Sequence, residues 1–491
     1  MEPTSSALSS IANLVKTIVG AGTLAIPYSF KSDGVLIGIL LILLAAVTSG
    51  LGLFVLSKCS KTLINPRNSS FFTLCMLTYP TLAPIFDLAM IVQCFGVGLS
   101  YLVLIGDLFP GLFGGDRNYW IIASTVVIIP LCLVKKLDQL KYSSILGLFA
   151  LAYISIFIFS HFAFELGKGK LTDVLENDIC WWKIHDVKGL LSTFSIIIFA
   201  YTGSMNLFPM INELKDNSME NITLVINNSI TLSTILFLIV GLSGYLTFGN
   251  KTSGNLMLNY DPNSIWIVIG KFCLGSMLIL SFPLLFQPLR VAVNNVIIWL
   301  EITFGNADPN EDTQVSEYTR ASNMRPISMT VDDPTQSNAL AGDATSDDEQ
   351  DRLIPNGNLD NGSIESQGYR NNNEGTMAVP VDNEHHAPFV KARFYWITAV
   401  LLISMYTLAL SVQSFALVLS LVGATGSTSI SFTLPGLFGY KLIGSDSLAV
   451  GKMIPPRDRF YKRCSLLLVF YGLSVMFLSL YVTLFNTPDN A

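Results

Sequence analysis

The sequence predicts an all-helical polytopic membrane protein with about eleven transmembrane helices. Only 13% of the 491 residues are charged and 51% are apolar, a composition too apolar for water-soluble domains of this size. In addition, the stretches 35–55, 120–134 and 143–160 contain no Asp, Glu, Lys or Arg. The longest of them reach the roughly 20 residues that cross the hydrocarbon core of a bilayer. A soluble multidomain enzyme is therefore excluded.

Charged, Pro and Gly residues divide the apolar stretches into successive helices. The predicted spans are 9–30, 34–57, 85–109, 119–135, 142–164, 188–212, 222–247, 264–288, 393–411, 413–439 and 465–485. A tight turn at 411–414 separates the ninth from the tenth, because one helix over 395–440 would overshoot the bilayer. The chain thus consists of helices one to eight at 1–302, a loop at 303–391 and three helices at 392–491.

The loop at 303–391 is predicted to be a disordered, acidic, cytosolic segment. Residues 303–390 include 16 acidic and 4 basic residues with few aromatics, so the segment buries too little apolar area to offset its ordering entropy. A hexamer in the loop, which begins at Glu349 and ends with Leu353 and Ile354, resembles the acidic dileucine signal that adaptor complexes recognise. Acid-rich loops also produce such hexamers by chance.

Lys and Arg in the loops predict the orientation. With a cytosolic N-terminus, the cytosolic segments contain 20 basic residues and the opposite face contains 7; this bias favours a cytosolic N-terminus and a lumenal C-terminus. Without the long loop the numbers are 16 and 7, so the orientation is unchanged. The sequon at Asn250 then lies on the lumenal side as a candidate glycosylation site.

Metal, cofactor and enzymatic chemistry are not indicated. The seven cysteines contain no CxxC pair, which argues against a zinc site or a disulfide framework. The four histidines form no ligand or nucleophile constellation. We therefore expect no cofactor, no metal and no nucleic-acid partner.

Two predicted spans are interrupted near their middle. The first contains Gly20 and Gly22 ahead of Pro27, and the sixth contains Gly203 ahead of Pro209. Glycine lowers helix propensity by about 1 kcal/mol, and non-helical backbone at membrane depth is tolerated only where it lines a cavity. Interrupted helices five spans apart are the pattern of an inverted-repeat transporter with a site at the bilayer midplane.

Broken helices offer N–H groups at the start of one half-helix and carbonyl groups at the end of another. A zwitterion with a carboxylate and an ammonium group fits this arrangement, and an amino acid is such a solute. The alternative is that the glycines are close-packing positions between helices. The candidate substrate-binding residues are Gly20, Ala21, Gly22, Thr23, Phe199, Thr202 and Gly203 at the breaks, and Tyr101 in the third span, where packing is the alternative role.

Four stretches resemble the amino acid/auxin permease family: 13–28, 199–208, 281–290 and 423–435. They occur in the family's order, and the resemblance covers nearly the whole chain outside 303–391. The short N-terminal tail and the long loop are most similar to those of the fungal vacuolar amino-acid exporters. The resemblance implies a LeuT-like inverted five-plus-five arrangement with one extra helix, amino-acid substrates, and coupling to protons or sodium. Ser204 stands where many members carry a His, so no role of that His is carried over.

Ionisable residues inside spans are candidates for ion coupling, because intramembrane charge is costly. Lys16 lies one turn before Gly20. The resemblance implies a cation between helices one and eight in sodium-coupled relatives, a position that a titrating lysine can occupy instead. Asn13 and Ser276 are candidate neutral ligands for sodium. Snorkelling to the interface is the alternative for Lys16 and the favoured interpretation for Lys271.

These expectations predict a secondary transporter in the vacuolar membrane that moves neutral amino acids from vacuole to cytosol with protons. Each pH unit is worth about 1.36 kcal/mol per proton and drives protons out of an acidic organelle, so a symporter exports its substrate. The alternatives are an amino-acid sensor of the same fold that signals through the acidic loop, or a sodium-coupled or antiport transporter.

Overall fold

The computed structural model describes residues 5–63, 66–133, 141–169, 187–304, 391–445 and 453–485, with 171, 174 and 178–182 between them. Apart from an isolated bridge between Ser5 and Leu214, the described residues form helices and connecting turns. The predicted all-helical fold class is confirmed. The dileucine hexamer at 349–354 and the acidic segment around it lie outside the described residues.

Helices occupy all eleven predicted span positions. Nine helices of the described residues are long and apolar enough to cross a bilayer, a bent pair forms a further span, and Arg117–Leu133 is a shorter apolar helix. We number them α1a (Ala7–Ile18) and α1b (Ala21–Asp33), α2 (Val35–Ser60), α3 (Pro80–Phe113), α4 (Arg117–Leu133), α5 (Lys141–Gly167), α6a (Val187–Ala200) and α6b (Leu207–Glu213), α7 (Met219–Phe248), α8 (Ile265–Phe304), α9 (Lys391–Ser411), α10 (Phe415–Leu442) and α11 (Pro456–Phe485).

The predicted turn between α9 and α10 is confirmed. Helix α9 ends at Ser411, and the Ser414 side chain accepts a hydrogen bond from the Leu417 N–H at 3.3 Å. This cap satisfies one of the N–H groups that a helix start leaves without a partner. The chain therefore ends one span at Ser411 and begins the next at Phe415.

Helix α8 is longer than the sequence pattern predicted. It continues through Pro283 and Pro288 to Phe304, where the prediction ended it at residue 288. Its extension is held by buried polar contacts: Arg290 is 5% exposed and donates to the Cys132 carbonyl oxygen at 3.2 Å and the Thr398 hydroxyl at 3.3 Å. Packing against α4 and α9 thus overrides the helix-breaking tendency of the two prolines.

Burial distinguishes the interior spans from the outer ones. In the most apolar windows, 83% of the residues of α6 and 78% of those of α10 are buried, against 33% for α5 and α11. Helix α10 also contains two wide turns of π-helix, Gly423–Ser427 and Ser429–Thr433. Helices α6 and α10 are therefore in the interior of the bundle, whereas α5 and α11 face outward.

Candidate functional site

The first break lies between α1a and α1b. The axes of the two half-helices differ by 47°, and Gly20 between them has an extended backbone with φ −95° and ψ −155°. The Gly20 N–H donates to the Ile18 carbonyl oxygen at 2.9 Å. Helix α1b starts at Ala21 with a tight 3-10 turn. The N–H groups of Ala21 and Gly22 therefore have no acceptor within the helix.

The second break lies between α6a and α6b. Directly after the end of α6a, the Thr202 N–H donates to the Phe199 carbonyl oxygen at 3.1 Å. Gly203 follows, and a short 3-10 turn leads into α6b, where Pro209 lies in the first turn. Proline suits that position because its missing N–H would have no partner there. Both interruptions predicted from the sequence are present.

The two breaks pack directly against each other. A Cβ placed on Gly22 would lie 3.1 Å from Phe199 Cδ1 and 3.2 Å from the Ala200 Cα, so α1b contacts the end of α6a. A Cβ placed on Gly203 would lie 2.9 Å from Ile18 Cγ1, so the α6 break contacts the end of α1a. Gly22 and Gly203 are therefore close-packing positions as well as break residues.

Gly20 differs from these two glycines. It is partly exposed, and a Cβ placed on it would meet only the Thr17 carbonyl oxygen, at 3.7 Å. Its extended backbone is one that any residue can adopt. Gly20 is thus the break position with room beside it, directly ahead of the Ala21 and Gly22 N–H groups.

Thr23 contributes a buried hydroxyl to the first break. It is 2% exposed, and its Oγ1 has no hydrogen-bond partner. Burying a hydroxyl without a partner is costly, so an unpartnered group at this place is suited to a bound polar solute. By contrast, the Thr202 Oγ1 donates to the Ile198 carbonyl oxygen at 3.2 Å. Of these two predicted residues, Thr23 is the one whose hydroxyl is available to bind a solute.

Tyr101 is a buried residue of the third span. It is 9% exposed in α3, and α3 packs mainly against α8, α9, α10 and α4. Its predicted role in closing over substrate stays a prediction. The two cavities described for the protein also contain no residue of the breaks.

Lys16 lies where α1a meets α5 and α8. A Cβ placed on Gly147 of α5 would be 2.9 Å from Lys16 Cε and 3.7 Å from Lys16 Nζ, and 3.4 Å from Cγ of Met277 in α8. Ser276 precedes Met277 and is partly exposed, whereas Asn13 is exposed on α1a. The structure thus brings Lys16 into the α1–α5–α8 junction and leaves the Asn13 side chain at the protein surface.

Hydrogen bonds tie the half of α1 that precedes its break to the half of α6 that follows its break. The Asn206 amide donates to the Thr17 hydroxyl at 2.6 Å. Further along, the Ser5 N–H donates to the Glu213 carbonyl oxygen and the Lys215 N–H donates to the Ser5 carbonyl oxygen, both at 3.1 Å. Helices α1a and α6b are therefore linked at both ends.

A corresponding link joins α1b to α6a. The Thr193 hydroxyl donates to Asp33 Oδ1 at 2.7 Å, and Oδ2 has no hydrogen-bond partner. Asp33 is fully buried and Thr193 is 2% exposed. The sequence analysis missed Asp33, because Lys31, Ser32, Asp33 and Gly34 form a polar stretch typical of a loop. In the structure, α1b continues to Asp33, and Gly34 at φ 75° makes the turn.

We expect Asp33→Ala to lower transport by about tenfold, because it removes a hydrogen bond to a carboxyl group between two buried half-helices. Asp33→Asn keeps an oxygen that accepts from Thr193 and is expected to stay close to the wild type. Uptake by purified variants in liposomes, normalised to inserted protein, measures both. Equal loss in the two variants would contradict a hydrogen-bond role and assign the effect to the ionisable carboxyl group.

The snorkelling interpretation of Lys271 is wrong. Its side chain is 3% exposed, and a Cβ placed on Gly111 would lie 2.8 Å from Lys271 Nζ. The ammonium group therefore packs inside the protein, against the end of α3. Long stems permit snorkelling only where they reach the interface along a lipid-facing surface.

The structure shows the surroundings of Asn250 but does not test its glycosylation. Asn250 is partly exposed in the turn after α7, and Thr252 of its sequon is 1% exposed. Glycosylation of Asn250 stays a prediction. Within the described part of the chain, no group of three or more His, Cys, Asp or Glu residues is arranged to hold a metal ion.

Solved transporter structures have the same fold. Over 98% of this chain and 100% of the other, the structure of MhsT in complex with L-phenylalanine gives a TM-score of 0.52 at 12% identity. A sodium-coupled sialic acid symporter gives 0.50 at 12% identity, over 96% and 89%. At such low identities these similarities establish the fold alone. The predicted LeuT-like arrangement is confirmed.

Sequence comparisons agree with one another on the family. The chain is 87% identical to vacuolar amino acid transporter 7 of Saccharomyces cerevisiae over the full length of both. It is 32% identical to vacuolar amino acid transporter 6 of the same yeast, over 95% and 96%. The family model of transmembrane amino acid transporter proteins matches residues 3–478. The protein thus belongs to the family of transmembrane amino acid transporters.

Proposed function

We propose that this protein exports neutral amino acids from the vacuole to the cytosol in symport with protons. The observation that carries the proposal is the pair of broken helices in contact at the centre of the bundle. The Ala21 and Gly22 N–H groups suit the substrate carboxylate, and the unpartnered Thr23 hydroxyl suits a further polar atom of the substrate. The carbonyl groups at the end of α6a suit the ammonium group.

Neutral substrates are favoured by the side chains at the breaks. The predicted binding residues there are Gly, Ala, Thr and Phe, which offer no counter-ion to a charged substrate side chain. Burying such a charge without a partner is costly. An apolar or small polar side chain has no such penalty.

Protons are favoured over sodium by the position of Lys16. Its Nζ lies at the α1–α5–α8 junction beside Gly147, and an ammonium group there repels a second cation. A lysine that gains and loses a proton supplies the same positive charge without sodium. A mouse protein named a putative sodium-coupled neutral amino acid transporter is 25% identical over 60% of this chain, and sodium coupling is therefore the competing outcome of the transport test below.

Location and direction follow from the relatives and from energetics. The yeast proteins with 87% and 32% identity are named vacuolar transporters, which supports a place in the vacuolar membrane with the N-terminus in the cytosol. A symporter there moves substrate down the proton gradient, from the acidic lumen to the cytosol. The candidate sorting hexamer and the Asn250 sequon fit this location.

Transport by the purified protein in liposomes tests the proposal. With an acidic exterior, an alkaline interior and no sodium, we expect neutral amino acids to accumulate inside, because a symporter of either orientation carries substrate toward the alkaline side. Each substrate is expected to bring protons with it. Accumulation on the acidic side would indicate an antiporter, dependence on a sodium gradient would indicate sodium coupling, and saturable binding without flux would indicate a sensor.

A further inference from the structure

A large cavity lies away from the breaks, between α2, α7 and α11. We call it the lateral cavity; its volume is about 890 Å³. Its lining residues are Phe54 and Lys58 of α2; Met219, Glu220, Thr223, Leu224, Asn227 and Asn228 of α7; and Pro455, Arg457, Asp458 and Tyr461 at the start of α11. These are the end of α2 and the beginnings of α7 and α11, all on the side of the N-terminus.

The lateral cavity is a groove in the outer surface of the bundle. Helix α2 packs against both α7 and α11, which pack little against each other, so α2 forms the floor and the other two form the walls. Beyond the cavity, both walls present apolar side chains outward: Leu232 and Ile235 on α7 are 44% and 47% exposed, and Leu467 and Phe470 on α11 are 67% and 61% exposed. The outward faces of the two helices that wall the groove are therefore suited to contact acyl chains.

Polar groups extend deep into the groove. Asn227 is exposed eight residues after the start of α7, which places it about 12 Å along the helix axis. Thr223 lies one turn before it and also lines the cavity. Exposed amides at this depth of an apolar helix are costly against hydrocarbon. A polar occupant of the groove would hydrogen-bond to them.

The charges of the lateral cavity are balanced. Lys58 pairs with Asp458, and its Nζ lies 4.5 Å from the Tyr461 ring centroid. Arg457 and Glu220 are exposed at the start of α11 and of α7. Two cations and two anions do not favour a purely anionic ligand. They suit a headgroup that carries one phosphate and one ammonium.

We propose that the lateral cavity binds the headgroup of a zwitterionic phospholipid of the cytosolic leaflet, such as phosphatidylethanolamine. Its phosphate lies beside Arg457 and Lys58, and its ammonium group lies beside Glu220 and Asp458. Its acyl chains follow the apolar surfaces of α7 and α11. Helix α7 also packs against α1a, so the bound lipid supports the wall on which α1a rests.

Photocrosslinking of the full-length protein tests the site. Nanodiscs of a neutral galactolipid, which has neither a phosphate nor an ammonium group, carry a trace of either photoactivatable phosphatidylethanolamine or photoactivatable phosphatidic acid, and the crosslinks are mapped by mass spectrometry. Phosphatidylethanolamine is expected to label 219–228 and 455–461. Phosphatidic acid, which lacks the ammonium group, is expected to label them several-fold less. Equal labelling by the two lipids would overturn the zwitterion assignment, and labelling confined to other segments would overturn the site.

Matched variants complete the experiment. Glu220→Gln combined with Arg457→Gln is expected to reduce labelling several-fold, because it removes one charged partner of the ammonium group and one of the phosphate. Glu213→Gln combined with Arg459→Gln removes exposed charges near the same helix ends but outside the cavity lining, and is expected to label like the wild type. Chromatographic homogeneity of both variants shows that the fold is retained. Undiminished labelling of the cavity variant would contradict the proposal.

Discussion

Gly20→Val is expected to reduce amino-acid transport by roughly 100-fold, because two hydrogen bonds from N–H groups to a carboxylate contribute roughly 1.5 kcal/mol each. The valine side chain would stand directly ahead of the Ala21 and Gly22 N–H groups and keep the carboxylate away from them. The measurement is initial uptake into liposomes with the pH gradient fixed, together with substrate binding to the detergent-purified protein. Both are expected to fall together.

The structure makes Gly20 the informative glycine. A Cβ there meets only the Thr17 carbonyl oxygen, at 3.7 Å, and the backbone at φ −95° accepts any residue, so the variant is expected to insert and fold. At Gly22 and Gly203 an added side chain meets neighbours at 3.1 Å and 2.9 Å. Loss of activity at those two positions would therefore mix packing damage with loss of the site.

Gly50→Val is the matched control. Gly50 lies in α2, and a Cβ there would meet only Ile230 Cγ1, at 3.9 Å. The Gly50→Val variant thus introduces the same branched side chain into a membrane helix, at a position with free space and away from the breaks. It is expected to transport nearly normally. Wild-type binding and transport by Gly20→Val would remove the α1b N–H groups from the substrate site.

The breaks were predictable because their cause is local. Glycine and proline change the backbone at their own positions, so the positions of Gly20 and Gly203 in the sequence were enough to predict the interruptions. The turn before Phe415 was predictable for a similar reason, since the bilayer limits the length of a span. Local chemistry and membrane thickness together give the order and number of the helices.

Properties that depend on contacts between distant helices were not predictable. The burial of Asp33 requires Thr193, which is 160 positions away, and nothing near Asp33 in the sequence distinguishes it from a loop residue. Lys271 has the same stem as a snorkelling lysine, and only the packing of α8 against Gly111 shows that it is buried. The continuation of α8 past Pro288 likewise depends on partners of Arg290 in α4 and α9.

Lys16→Met is expected to uncouple transport from protons while leaving substrate exchange intact. One proton per substrate supports a gradient of about tenfold per pH unit at equilibrium, because a pH unit is worth about 1.36 kcal/mol. Methionine retains the apolar stem that packs between Gly147 and Met277 but has no group that titrates. The variant is therefore expected to equilibrate its substrate across the membrane without concentrating it.

Lys271→Met provides the control, because it removes a buried lysine of α8 whose ammonium group packs against Gly111 at the end of α3. The measurement is the steady-state substrate gradient at several imposed pH differences, with exchange of labelled for unlabelled substrate measured in parallel. A gradient that still rises tenfold per pH unit in Lys16→Met would exclude Lys16 from coupling. If exchange were lost as well, Lys16 would belong to the substrate site. Exchange that is retained without a substrate gradient would show that the Lys16 ammonium group carries the coupled proton.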